Sequence, residues 1–221
     1  METAVIIGAS GGIGGALADA LAARGTCVTR LSRRADGLDL TDEASIERVL
    51  GKLTAPQELV LVATGVLAAD GHRPEKSIRQ VTAGALAAQF AVNAIGPMLV
   101  LKHALHLLPR DRPSVFAALS ARVGSIGDNR LGGWHSYRAS KAALNQLIHG
   151  AAIELARSHP RACVTCLHPG TVETELTRRF AGGHPTVTPK QAAQALLRVI
   201  DGLPPEDTGG FLDWAGEPIP W

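Results

Sequence analysis

The sequence predicts a single doubly wound α/β domain, with a parallel sheet of about seven strands and helices on both faces. Two observations carry this. Strand and helix patterns alternate along all 221 residues. The strand segments are unbroken apolar runs, such as Ala4–Ile7 and Leu59–Val62, rather than period-2 patterns, as expected of strands covered on both sides. No linker, repeat or low-complexity block marks a second domain, so residues 1–221 read as one unit. Hydrophobic residues make up 46% of the chain, which at this length supports one substantial core.

The elements follow in order. Thr3–Gly8 reads as a buried strand, Ala9–Gly15 as a glycine-rich turn, and Ala16–Arg24 as a helix stopped by Gly25. Thr26–Ser32 is a second strand and Gly37–Leu40 a very short third. Thr41 is placed to cap a helix over Asp42–Leu53, with Asp42 and Glu43 favouring its N-terminus. Glu58–Thr64 is a strand and Val66–Arg79 a loop. Thr82–Leu108 is a long helix that Pro97 should bend or break. Ser114–Leu119 is a strand, Ser120–Gly133 a loop, Trp134–Ser158 a helix and Arg161–Leu167 a strand. After the variable stretch Thr171–Val187, Thr188 caps a helix with Pro189 in its first turn, and Gly209–Trp214 is the last strand.

Composition narrows the function. A formal net charge of +2 argues against a charge-driven nucleic-acid partner. No stretch reads as a signal peptide or membrane span, so a cytoplasmic protein is expected. The three cysteines, Cys27, Cys163 and Cys166, do not suggest a disulfide framework. The Cys163-Val-Thr-Cys166 spacing falls in a strand, where positions i and i+3 face opposite ways. His103 and His106 lack the further ligands a metal site needs, so no metal is expected.

Two motifs carry chemistry. Gly8-Ala-Ser10-Gly11-Gly12-Ile13-Gly14 lies between the first strand and the first helix. Glycines there let the backbone approach a pyrophosphate at the helix N-terminus. The second strand ends in Ser32-Arg33-Arg34, with no carboxylate until Asp36. An acidic residue at that point accepts from the ribose 2′-hydroxyl of NAD, whereas arginine accommodates the 2′-phosphate of NADP. NADP is therefore expected over NAD, and Asp39 is a candidate for the adenine amino group. Tyr137 and Lys141, four residues apart on a helix, share one face. A neighbouring cation lowers a phenol's pKa, which makes the tyrosine an acid or base.

These pieces, over essentially the whole chain, resemble the short-chain dehydrogenase/reductase family and its Rossmann fold. The carrying residues are the Gly8–Gly14 loop, Asp39, Ala63-Thr64-Gly65, Asn93, Tyr137-Arg-Ala-Ser-Lys141 and His168-Pro169-Gly170 with Thr174. The stretches 121–127, 136–145 and 213–221 look most like the branch of C-factor and sniffer-like carbonyl reductases. The resemblance implies hydride transfer between NADP(H) and a carbonyl or alcohol, with Tyr137 as acid/base and Lys141 on the nicotinamide ribose. It implies that Asn93 helps hold a relay water; satisfying carbonyls freed upstream of Pro97 is a second role for Asn93 that can coexist with it. It also implies that Leu40, Ala63, Thr64, Gly65, Pro169, Gly170, Val172 and Thr174 contact the cofactor.

Departures stand beside it. Ile7 replaces the threonine that usually opens the glycine loop, and Ala63-Thr64-Gly65 replaces Asn-Asn-Ala-Gly. Ala121 occupies the position of the catalytic serine. Ser120 through a local bulge, Ser125, or no serine at all are the three readings, with Ser120 first. Residues 122–134 and 171–187 should shape the substrate pocket, with Leu131, Trp134 and Phe180 as apolar wall and Arg130 or His135 as polar contact. A non-catalytic NADP-binding signalling or redox-sensing protein is the alternative. The two long helices suit a homodimer or homotetramer.

Overall fold

The computed structural model describes residues 1–54, 56–68, 73–175, 177 and 185–221. Among these, six parallel strands stand in the order β2-β1-β3-β4-β5-β6. They are β1 (Thr3–Ile7), β2 (Cys27–Leu31), β3 (Leu59–Val62), β4 (Ser114–Leu119), β5 (Ala162–His168) and β6 (Phe211–Asp213). Strand order reverses at β1, so a crevice opens beyond the carboxyl ends of β1 and β3, where open α/β sheets bind ligands.

Alternate side chains feed two cores. Val5, Ile7, Val60, Val62, Phe116, Ala118, Val164 and Cys166 face one side. There they meet α3 (Glu43–Leu50), α5 (Gly96–Ala104) and α6 (His135–Leu155). Ala4, Ile6, Leu59, Leu61, Ala117, Cys163 and Leu167 face the other, against α1 (Gly12–Ala23) and α7 (Pro189–Gly202). Cys163 and Cys166 thus lie in different cores, both free.

Three local expectations are corrected. Gly37–Leu40 forms no strand. Gly37 turns left-handed (φ 68°) after the short helix α2 (Arg33–Asp36), and Leu38 and Leu40 bury instead as irregular chain. Asp42, not Thr41, caps α3 by accepting from the Ala44 N–H at 3.1 Å, while Thr41 donates to Asp39. The predicted helix over 82–108 divides into α4 (Ala83–Phe90), a π-helical turn (Ala91–Ile95) and α5. Pro97 has no N–H for the Asn93 carbonyl, and its ring crowds that carbonyl, so the chain widens by a π turn. By length and composition the run Ala83–Leu107 could cross a membrane. In this fold Val100, Leu101, Ala104 and Leu107 on it are buried in the first core. The cap at Thr188 forms as expected, reciprocally with Gln191.

Candidate active site

The crevice holds a chain of three cavities. The first, 330 Å³, lies over the ends of β1 and β2 and is lined by Gly8, Ser10, Gly11, Ser32, Arg33, Asp39, Leu40, Ala63, Thr64 and Gly65, among others. The second, 520 Å³, shares Ser10, Gly11, Ala63, Thr64 and Gly65 with it. It continues to Gly12, Ile13, Ser120, Tyr137, Lys141, Pro169 and Thr174. The third, 460 Å³, is lined by Leu67, Ala121, Arg122, Val123, Leu131, Trp134, Tyr137, His168, Gly170 and Thr171, among others. Among the described residues Tyr137 is the one that lines both the second and the third.

The glycine loop is fixed by close approach. Gly8 is left-handed (φ 88°), and a Cβ on Gly14 would come within 2.2 Å of the Gly8 carbonyl oxygen. Gly14 therefore seals the strand-to-helix turn from behind rather than lining a cavity. Gly11, the N-cap of α1, has no side chain to satisfy the first-turn N–H groups, which leaves them for an anion. The Thr64 hydroxyl, on the wall of the first two cavities, is buried without a hydrogen-bond partner. An elongated cleft with an orphaned hydroxyl and free helix N–H groups fits a dinucleotide.

At the far end of that cleft, Ser32 caps α2 by accepting from the Ala35 N–H at 3.2 Å. The Asp36 carboxylate turns back to accept from the Ser32 N–H at 2.7 Å. Arg33 lines the cavity, whereas Arg34 is exposed and does not. Asp39 lines it too, with Oδ1 accepting from Thr41 N–H and Oγ1–H at 2.9 and 2.7 Å. Those two bonds hold its carboxyl below the usual range. Val172 is buried and bridges Val187, outside the lining.

Tyr137 and Lys141 stand one turn apart on α6, as the spacing predicts. Lys141 Nζ lies 6.0 Å from the Tyr137 ring centroid and donates to the Leu119 carbonyl at 2.8 Å. Tyr137 keeps part of its surface open to the cleft, yet the protein packed around it pushes its pKa up to about 12. Burial pulls Lys141 down to about 8. The expected lowering of the tyrosine by its lysine is therefore not built into the protein alone, because at this distance desolvation outweighs the pair's attraction.

Asn93 sits in the π turn and is fully buried. Its side chain accepts from the Val66 N–H and donates to the Val66 carbonyl, both at 2.8 Å. It donates also to Gln89 Oε1 at 2.7 Å and Ser140 Oγ at 3.1 Å. It fastens the segment after β3 to α4 and α6 and leaves the carbonyls freed by Pro97 alone. Gly65 lies between Asn93 and Lys141, since a Cβ there would be 3.4 Å from Asn93 Oδ1 and 3.6 Å from Lys141 Nζ.

The serine position reads differently. Ser120 lines the second cavity, but its buried hydroxyl donates to Asn145 Oδ1 on α6 at 2.7 Å. Ser125 is buried and accepts from the Asp128 N–H at 3.0 Å. Ala121 faces the third cavity. No bulge turns Ser120 toward that cavity. The residues expected to wall it, Arg130, Leu131 and Trp134, do line it, whereas His135 is not among the lining and Phe180 lies outside the described residues.

Sequence reasoning missed Gln89, Asn145, His168 as a lining residue, and Glu75. Gln89, four residues before Asn93, was findable from helical spacing. Glu75, in a loop without periodicity, carried no local signal.

The profile of the short chain dehydrogenase family matches residues 2–183. The chain is 33% identical over 238 aligned positions to 1-hydroxy-2-glutathionyl-2-methyl-3-butene dehydrogenase of Rhodococcus sp., covering all of both chains. It is 37% identical over 137 positions to C-signal of Myxococcus xanthus, covering 62% of this chain and 78% of that one. Its fold matches the NADPH-bound carbonyl reductase from chicken fatty liver with TM-score 0.85 at 23% identity, covering 100% and 99%. It matches carbonyl reductase Sniffer of Drosophila melanogaster with TM-score 0.83 at 20% identity, covering all of both chains. With the glycine loop, the Tyr137–Lys141 pair and the parallel sheet in place, the chain belongs to the short-chain dehydrogenase family of oxidoreductases.

Proposed function

We propose that this protein is an NADP(H)-dependent carbonyl reductase, reversible as an alcohol dehydrogenase. The observation that carries the reading is the position of Tyr137 on the wall shared by the dinucleotide cleft and the third cavity. A substrate oxygen in the third cavity meets the phenol where the cleft ends. When bound, NADPH supplies the hydride for the carbonyl carbon. Tyr137 gives its proton to the carbonyl oxygen and takes one back in the reverse direction. Lys141, tied to Leu119 by one of its three N–H bonds, has two left for the ribose hydroxyls. Asn93, through Val66 and Ser140, keeps the β3 loop and α6 at a fixed separation around that lysine.

Arg33 at the adenosine end, with Asp36 turned back on Ser32, supports NADP over NAD. The NADPH-bound carbonyl reductase with the same fold supports it too. The third cavity joins apolar Leu67, Val123, Leu131 and Trp134 to Arg122, Arg130 and Arg138. Arg122 is balanced by Asp128 and Asp213, and Arg138 is tied to the Gly132 and Gly133 carbonyls. Arg130 has no partner among the described residues. That lining suits an apolar carbonyl compound with a carboxylate-bearing tail, and the Rhodococcus relative named for a glutathionyl substrate supports it.

The test is NADPH oxidation, followed by absorbance, across aldehydes and ketones with and without anionic tails. Tyr137→Phe should reduce turnover about 100- to 10,000-fold and leave NADPH binding in place. A second reading, a nucleotide-binding signalling protein in the cytoplasm, draws on Ala121 and the likeness to C-signal. It requires NADPH binding without turnover and a silent Tyr137→Phe.

A further inference from the structure

A reductase of this design needs a donor beside its tyrosine to hold the substrate oxygen as charge develops on it. Ala121 has none, and the hydroxyls of Ser120 and Ser125 are engaged with Asn145 and the Asp128 N–H. Among the polar side chains lining the third cavity, His168 is the one with a buried polar atom that no described residue satisfies. It makes no hydrogen bond to any described residue, and its Nδ1 is sealed from solvent without a partner. Buried ring nitrogens are rarely left so. Nε2 is the ring nitrogen left to face the cavity that Ala121 and Tyr137 also line.

The sheet explains the placement. Leu119 pairs with Leu167 across β4 and β5, and the Ser120 N–H donates to the Leu167 carbonyl at 2.8 Å. His168 therefore emerges level with Ser120, one residue before Ala121, at the end of β4. On its other side it pairs with Asp213 of β6. Burial, reinforced by the Arg122 guanidinium, holds the imidazole's pKa at about 4 against the pull of Asp213. The ring is thus neutral at working pH, with a single N–H, and a neutral imidazole is a competent donor to a developing oxyanion.

We infer that His168, through Nε2–H, donates the hydrogen bond to the substrate oxygen that alanine at position 121 cannot make. The inference rests on the reductase reading and adds a residue to it. Tyr137 delivers the proton and His168 keeps its own, so the balance of the reaction is unchanged.

The experiment compares His168→Ala, His168→Gln and the double variant Ala121→Ser/His168→Ala in reduction of 4-nitrobenzaldehyde by NADPH. His168→Ala should lose about 100- to 1000-fold in kcat, with NADPH affinity retained. His168→Gln, which keeps an N–H near Nε2, should recover part of it. Ala121→Ser in the His168→Ala background should recover activity by restoring a donor from the neighbouring strand end. A mere packing role for His168 predicts no such rescue. Independently, histidine ¹H–¹⁵N spectra of the NADPH complex should show the Nε2–H tautomer of His168 and move on adding the non-reducible probe 4-nitrobenzamide. Either an unmoved His168 signal or an unchanged kcat in His168→Ala overturns the assignment. Turnover that depends on Tyr137 but not on His168 sinks this inference alone, whereas no turnover by the native protein sinks the reductase reading.

Discussion

Glu75 caps the helix that carries Tyr137: its carboxylate accepts from both the hydroxyl and the N–H of Ser136, the residue before that tyrosine. Its own carbonyl accepts from the Trp134 N–H. That bond holds Trp134 in a left-handed turn (φ 48°), with its ring edge-on to Tyr137 at 6.3 Å between centroids. One loop residue thus sets both the helix start and a wall of the third cavity. Burial raises the Glu75 carboxyl pKa, but the bonds from Ser136 and from its own N–H, with His135 nearby, together outweigh it and the net direction is down.

Glu75→Ala should therefore lower stability by about 1 kcal/mol, the usual worth of a cap, or ~2–4 °C in Tm for a chain of this size. Because the folded pKa lies below the unfolded one, the native contribution is present above the ordinary carboxylate range and lost as pH falls through the folded value. Melting curves of native protein and Glu75→Gln between pH 7 and 3 should converge at the acid end. A constant gap across that range would refute the capping role.

At Lys141 the pH slope has the same sign, but substitution should stabilise rather than destabilise. Its folded pKa of about 8, set by burial, lies below the unfolded one, so the native state binds fewer protons between the two. Stability from this group should rise with pH over that window. Lys141→Met should raise stability at pH 7 by up to about 3 kcal/mol and abolish turnover, with the stability gain shrinking above pH 8. Denaturant titrations at pH 7 and pH 10 check it. Equal gains at both would mean that the buried charge is not the cause.

Cofactor preference should rest on Arg33 rather than Arg34. Arg33→Ala should cost about 10- to 100-fold in kcat/KM with NADPH, the worth of a charge-assisted hydrogen bond, and little with NADH. Arg34→Ala, exposed and off the cavity wall, should change neither. Equal losses with both cofactors in Arg33→Ala would count against a phosphate contact.

Arg130→Gln should raise KM for carboxylate-tailed aldehydes and leave that for neutral aldehydes in place. The effect should weaken with salt, since the arginine is exposed. A KM that does not change for either class would remove Arg130 from substrate binding.

What the sequence made legible is what local chemistry encodes. The Gly8–Gly14 loop follows an apolar run and opens a helix, and Tyr137 and Lys141 share a helix face by spacing alone. The rest depends on partners distant in sequence. Whether Ser120 faces the substrate is decided by Asn145, which takes its hydroxyl. Glu75 reaches its helix across 61 positions. Gly37–Leu40 reads as a very short strand, yet Leu38 and Leu40 are buried as irregular chain after a left-handed glycine. Pro97 announces a bend, but not that the bend is a π turn that displays Asn93 to Val66 and Ser140.

Tyr137 is the shared wall between the dinucleotide cleft and the third cavity, and this makes one loop of the substrate side separable in design. The third cavity is lined from the stretch 121–138 together with Leu67, His168, Gly170, Thr171 and Thr177. The cleft draws on the glycine loop and the ends of β1, β2 and β3, and also on Ser120, Lys141, Pro169 and Thr174. The loop over residues 122–134 can be redrawn for a new substrate body without touching the cleft, while the turn after β5 serves both sides. What any acceptable substrate must keep is an oxygen that reaches the partition.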